Sequence, residues 1–175
     1  IGCIFCNNKE NDNPIVIKEN GFLGRQCPLC KLLFISPRPS IEEIMNIYGH
    51  VQSNTYAKRY IRDSIPRRIS AKISLSYLKQ YISNGDLCDL GAGAGYFLSE
   101  ARKAGFNVYG IEMNPIESTY INKQLKIPCV TKPLSKSYSS KKFDVIYLCN
   151  VISHLYDPIQ EFKIINRKIK KNIKK

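Results

Sequence analysis

In the stretch CDLGAGAGYF, residues 88 to 97, one carboxylate, Asp89, stands two places before the first of three alternating glycines. A second carboxylate, Glu112, follows Gly91 by 21 residues. Glycines without a Cβ let backbone come close to a ligand, and carboxylates favour a cation or accept from hydroxyls. The nicotinamide fingerprint G-x-G-x-x-G fails, because counting from Gly91 and Gly93 puts Tyr96 where the third glycine belongs. Asp89 is also badly placed beside a pyrophosphate. No Gly-Lys-Ser/Thr follows, which removes a P-loop. What fits is a ligand with no phosphate, a positive centre and a ribose: Asp89 faces a cationic amino-acid end and Glu112 accepts from both ribose hydroxyls. S-adenosylmethionine has that composition.

A second cluster lies at the front. Cys3 and Cys6 form one C-x-x-C pair, Cys27 and Cys30 another, with 20 residues between them. Two such turns meeting give the closed tetrahedral thiolate shell of structural zinc. A redox pair is the rival reading, but no βαβ pattern surrounds either motif. The remaining cysteines, Cys88, Cys129 and Cys149, sit singly in apolar runs and read as small core residues.

The elements that must position these groups follow from pattern. Strand-like runs PIVIKE and GFLGRQ flank Asn20-Gly21, a hairpin signal, so residues 1–36 read as a zinc ribbon. Ser40 and Glu43 form a capping box, and Ile41, Ile44, Met45 and Tyr48 recur at helical spacing. One or two helices follow, broken or kinked at Pro66, with Ile69, Ile73, Leu78 and Ile82 as the packing stripe. Tyr48, Tyr56 and Tyr60 either join that packing or close over a ligand. Residues 37–83 thus form a helical linker or cap. From residue 84 the chain reads strand, glycine turn, helix closed by Gly105, and strand. Two further strand-like runs, IPCV and FDVIY, and a final helix capped by Asp157 and opened by Pro158 complete it. Alternating strands and helices predict an α/β fold with a parallel, Rossmann-like sheet of about four strands and the ligand at their carboxyl ends.

DLGAGAGYF with GIEMNP resembles motif I and the acidic second-strand end of class I methyltransferases, and KFDVIYLCNVISHLYDP, residues 142 to 158, stands where that family carries its fourth strand and the following histidine and Asp-Pro. With the cysteine pairs and LLFISPRPSIEEIMNIYG ahead of it, the whole is similar to bacterial methyltransferases with an N-terminal zinc-binding segment, several of them associated with sugars or surface polysaccharides. The resemblance implies S-adenosylmethionine bound by Asp89, Gly91, Ala92, Gly93 and Glu112, with Met113 near the adenine and Asn150 lining the pocket. Two departures stand out. The run TKPLSKSYSS after the third strand lacks the family's adenine-binding acid, and Ser153 replaces the glutamate before His154. His154 is the candidate general base, or else a histidine holding the loop before the last helix. The family's sheet has seven strands, so the four counted here imply a fragment or a truncated product.

The composition adds bounds. The formal charge is +13, which suits an RNA or acidic partner, yet the excess peaks in the tail KIINRKIKKNIKK rather than in a patch interleaved with aromatics. No apolar run approaches the roughly 18 residues of a membrane helix, so no membrane partner is expected, and neither is a signal peptide; cytoplasm is the default. The expectation is a methyltransferase acting on a small molecule, with a sugar or nucleotide-sugar as one option. An RNA methyltransferase and a truncated, non-catalytic cofactor-binding or interaction module are the alternatives. Oligomeric state is not legible.

Overall fold

The computed structural model describes residues 2–44 and 51–171. Met45, Tyr48 and His50 lie outside the described residues. The chain forms two compact units, Ile1–Ile47 and Tyr48–Lys175.

The first unit is a three-stranded antiparallel sheet in the order β1-β2-β3, with β1 Ile15–Glu19, β2 Phe22–Gln26 and β3 Leu33–Ile35. Glu19 faces Phe22 across the turn, and Asn20 and Gly21 both take positive φ, 49° and 81°. Those values are what a two-residue hairpin of matching twist demands. β3 extends the two-strand expectation by pairing Gly24 with Ile35 and Gln26 with Leu33. Arg25 braces the unit by donating to the Asn13 carbonyl at 2.8 Å. The capping box forms as a reciprocal pair: Ser40 N donates to Glu43 Oε2 at 2.7 Å, and Glu43 N to Ser40 Oγ at 3.2 Å.

The second unit carries four parallel strands in the order β6-β5-β4-β7. These are β4 Gly85–Leu90, β5 Phe106–Ile111, β6 Cys129–Val130 and β7 Val145–Tyr147. Both faces are covered, as an all-parallel sheet requires. Leu87, Val108 and Val145 point into one apolar cluster with Leu98, Ala101 and Leu75. Cys88, Leu90 and Ile111 point into the other with Phe143, Leu134, Ile164 and Ile165. Single-residue alternation along β4 therefore sends Asp89 to the Leu87 side.

The helices are α1 Val51–Arg62, α2 Ser64–Leu78, α3 Tyr96–Lys103, α4 Pro115–Tyr120 and α5 Pro158–Lys168. The break between α1 and α2 falls at Asp63, not at Pro66. Pro66 instead occupies the first turn of α2, where no intrahelical N–H is missed. The packing stripe also differs from expectation. α2 buries Ala71 and Leu75, with Leu78 and Ile82 partly covered, while Ile69 and Ile73 face outward. Tyr96 at the start of α3 donates its hydroxyl to the carbonyl of Ile61 at the end of α1. Asp157 caps α5 by accepting from Gln160 N at 2.9 Å. Beyond α5, Ile169 forms a parallel bridge with Phe143 beside β7, and Lys170 Nζ reaches Asp144 at 2.7 Å and Asp86 at 3.0 Å.

Candidate functional site

The glycine turn leaves the carboxyl end of β4 and is tied to the end of β5. Gly91 N and Ala92 N both donate to the Ile111 carbonyl, at 2.8 and 3.1 Å. Gly91, Gly93 and Gly95 have φ of 83°, 52° and 72°, the left-handed region that glycine enters without strain. At Gly91 the absence of a Cβ is also steric, since one built there would stand 2.5 Å from Val151 Cγ2. Gly95 opens α3.

Glu112 continues from β5 and is held by the turn itself. Its Oε2 accepts from Gly93 N at 2.7 Å and its Oε1 from Asn114 N at 2.8 Å. Each oxygen keeps a second acceptor position. Burial raises its pKa against the lowering effect of the Asn114, Gly93 and Met113 N–H groups. Asn114 in turn caps α4, accepting from Ile116 N at 2.9 Å.

Asp89 is 3% exposed. Burial first, then the neighbouring Glu112 charge, pushes its pKa up to about 8. A third carboxylate, Glu117 on α4, joins the group; burial and Glu112 push it to about 7, with Arg67 opposing. So a chain of net charge +13 gathers three acids around the strand ends, all raised by burial and two of them, Asp89 and Glu117, also by the Glu112 charge. A buried carboxylate without a cation is costly, and the arrangement is chemically complete with a positively charged ligand beside Asp89.

Two residues here were not singled out from sequence, Glu117 and Arg67; Tyr60, one of the three tyrosines expected either to pack or to close over a ligand, lies beside the loop. The Tyr60 ring edge lies 3.3 Å from where a Gly93 Cβ would stand, and Glu117 Oε1 lies 3.9 Å from it. The Arg67 guanidinium stacks over the Tyr60 ring, 2.9 Å from its centroid, and its Nε is buried with no hydrogen-bond partner among the described residues. No local signal marks Glu117 and Arg67, because helix packing brings them to the loop from distant sequence positions.

The remaining expected residues sit around this centre with less support. Met113, just past β5, is half exposed. Asn150 follows β7, exposed and with φ of 57°. His154 is exposed on the 3-10 turn Ile152–His154 that follows. Tyr147, at the end of β7, stacks on Phe97 at 3.7 Å. Tyr56 on α1 points outward, 70% exposed.

In the first unit, the sulfurs of Cys3, Cys6, Cys27 and Cys30 all lie within 4.8 Å of one another. The nearest separations are 3.3 Å for Cys6 and Cys27, 3.4 Å for Cys3 and Cys30, and 3.8 Å for Cys6 and Cys30. A zinc ion with four thiolates at about 2.3 Å needs sulfurs about 3.8 Å apart, so the set fits with small adjustment. Against its burial, the Cys30 backbone N–H, the Cys6 thiol and the Leu29 N–H lower Cys27 to about 6. Cys88 and Cys129 are buried in the core, and Cys149 is exposed.

A glycine turn and an acid at the ends of adjacent strands place a candidate ligand site at the carboxyl edge of the parallel sheet, and comparison with known proteins gives the family. Residues 54–174 match the model of a methyltransferase domain, and the chain belongs to that family. It is 28% identical over 125 residues to the ubiquinone biosynthesis O-methyltransferase of Rickettsia conorii (strain ATCC VR-613 / Malish 7), covering 66% of this chain and 43% of that protein. The chain thus spans under half the length of this curated relative. The magnesium protoporphyrin IX methyltransferase of Synechocystis PCC 6803, solved with bound S-adenosylmethionine, superposes with a TM-score of 0.60 at 13% identity, covering 77% of this chain and 74% of that one. The plantazolicin methyltransferase solved with S-adenosylhomocysteine gives 0.57 at 18% identity, covering 74% and 57%. At these identities the two structures establish the fold. Among the described residues, no helix is long and apolar enough to cross a membrane.

Proposed function

We propose that this chain supplies the cofactor-binding part of a methyltransferase that moves the methyl group of S-adenosylmethionine to a small-molecule acceptor. The observation that carries this reading is the buried, elevated Asp89 beside the glycine turn, which favours a cationic ligand and disfavours a phosphorylated one. Glu112, with one acceptor position left on each oxygen, would take the two ribose hydroxyls. Gly91, Ala92 and Gly93 would carry backbone against the ligand, Met113 would pack on the adenine, and Asn150 would line the far side. Arg67, with its free Nε, would receive the carboxylate of the same amino-acid end.

The cofactor brings an electrophilic methyl on a sulfonium, and its transfer is an in-line displacement that depends on positioning. A base is needed only for an acceptor that must lose a proton, and His154 is the residue assigned to that step. A sugar or nucleotide-sugar acceptor rests on the likeness of the cysteine-rich front to sugar-associated enzymes, and none of the relatives named above is named for a sugar. The four cysteines would hold a structural zinc ion.

Isothermal titration with S-adenosylhomocysteine tests the assignment. Binding that is lost in Asp89→Ala and Glu112→Ala supports it. No heat at high ligand concentration removes it. A second reading, RNA as acceptor, follows from the charge of +13 and predicts RNA binding that falls steeply with salt.

A further inference from the structure

The outward face of α2 has no role in the site. Ile65, Ile69, Ile73 and Tyr77 are spaced four residues apart and are 73%, 56%, 53% and 64% exposed. At 100° per residue they form one ridge. Ala71, Leu75 and Leu78, the residues α2 packs inward, lie on the opposite side of the helix. The ridge is therefore a second apolar face on a helix whose first is already used.

Its borders are basic. From Ser64 to Gly85 the chain contains Arg67, Arg68, Lys72 and Lys79 and no acid. Arg67 and Arg68 turn inward to Tyr60 and to Glu100. Lys72, exposed but within reach of the Glu100 charge on α3, and Lys79, the exposed residue that closes α2, flank the ridge on its Ile65 side.

We propose that this face of α2 lies on a bilayer surface rich in anionic headgroups, with the isoleucines and Tyr77 entering the headgroup boundary and Lys72 and Lys79 meeting lipid phosphates. This is contact in the plane of the membrane and needs no spanning helix. The charge pattern chooses this occupant. A second copy of the chain would bring only more positive charge, since α2 carries no carboxylate to pair with Lys72 and Lys79. A nucleic acid would satisfy the lysines and leave the isoleucines in water. An anionic lipid surface answers both.

The test is sedimentation of the full chain with vesicles of phosphatidylcholine alone and of phosphatidylcholine mixed with phosphatidylglycerol. The expected result is binding to the mixed vesicles, weakened by salt. Replacing Ile69 and Ile73 together by Ser should weaken it at least about tenfold, since each buried isoleucine is worth about that factor. Lys72→Gln with Lys79→Gln should retain residual binding and flatten the salt dependence. S-adenosylhomocysteine titration should be the same in both variants, which keeps this outcome separate from that of the cofactor assignment. Absence of wild-type binding to the mixed vesicles overturns the proposal. Unchanged binding in the isoleucine variant overturns it too, as does a dimer that this variant dissociates without any effect of vesicles.

Discussion

Gly93 donates its backbone N–H to Glu112 Oε2 at 2.7 Å, so the turn after β4 is fastened to the end of β5 by the side chain assigned to the ribose. Replacing Glu112 therefore removes two things at once. Glu112→Gln puts an amide N–H₂ against either Gly93 N or Asn114 N, because only one of its terminal atoms still accepts. A charge-assisted hydrogen bond is worth about 1.5–3 kcal/mol, so affinity for S-adenosylhomocysteine should fall roughly tenfold to a hundredfold. Titration calorimetry reads the loss, and unchanged affinity would sink the assignment.

Asp89 and Glu117 give the protein a defined pH response. Their folded values of about 8 and about 7 lie above the ordinary carboxylate range near about 4. The folded chain thus holds more protons than the unfolded one between these limits. Stability from these groups is fully present below about pH 4 and is lost as pH rises through about 7 and about 8. Melting temperatures across that interval should decline for the wild type and decline less for Asp89→Asn. A ligand ammonium beside Asp89 favours the ionised carboxylate and reverses the sign, so S-adenosylhomocysteine, which keeps that ammonium, should bind more tightly as pH rises over the same range. A flat profile in both experiments would show that Asp89 has another partner.

Gly91→Ala tests the turn without touching charge. The new Cβ meets Val151 Cγ2, and the backbone stays at φ of 83°. A non-glycine residue held there costs about 1–3 kcal/mol. A lower melting temperature and weaker ligand binding are expected together, and a variant as stable as the wild type would show that the turn has more room than its geometry implies.

The cysteine cluster predicts one bound zinc ion per chain by elemental analysis. Removing it with a strong chelator should abolish the protease resistance of the first unit, because a module this small buries too little apolar surface to hold itself. Cys3→Ser or Cys27→Ser should do the same. Cofactor titration separates the outcomes, since the α/β unit has its own core and should keep binding. A metal-free chain with a protease-resistant first unit would refute the metal assignment.

Much of this was legible because the information was local. The four strands, the glycine turn and the Asn20-Gly21 hairpin are each written in a few consecutive residues, and the two C-x-x-C pairs carry their spacing on their face. What was misread depended on which side of a helix meets the protein. α2 carries two apolar rows, one through Ala71, Leu75 and Leu78 and one through Ile65, Ile69 and Ile73, and periodicity ranks them equally. The expected stripe drew Ile69 and Ile73 from the outward row and Leu78 and Ile82 from the side that packs, while the sheet's neighbour α3 accepts the flatter row. Glu117 and Arg67 escape a sequence reading for a related reason: their meeting with Tyr60 at the loop is a product of helix packing, with no motif to announce it. Pro66 predicts a break or a kink because proline interrupts helices more often than it begins them, and here it sits in the first turn of one.

Tyr96 occupies the position where a dinucleotide-binding chain places its third glycine, and its hydroxyl holds the carbonyl of Ile61. A glycine there would do more than restore a pyrophosphate motif. It would release the end of α1 and, with it, Tyr60 one residue away. One side chain thus both departs from the dinucleotide pattern and ties the start of α3 to the end of α1.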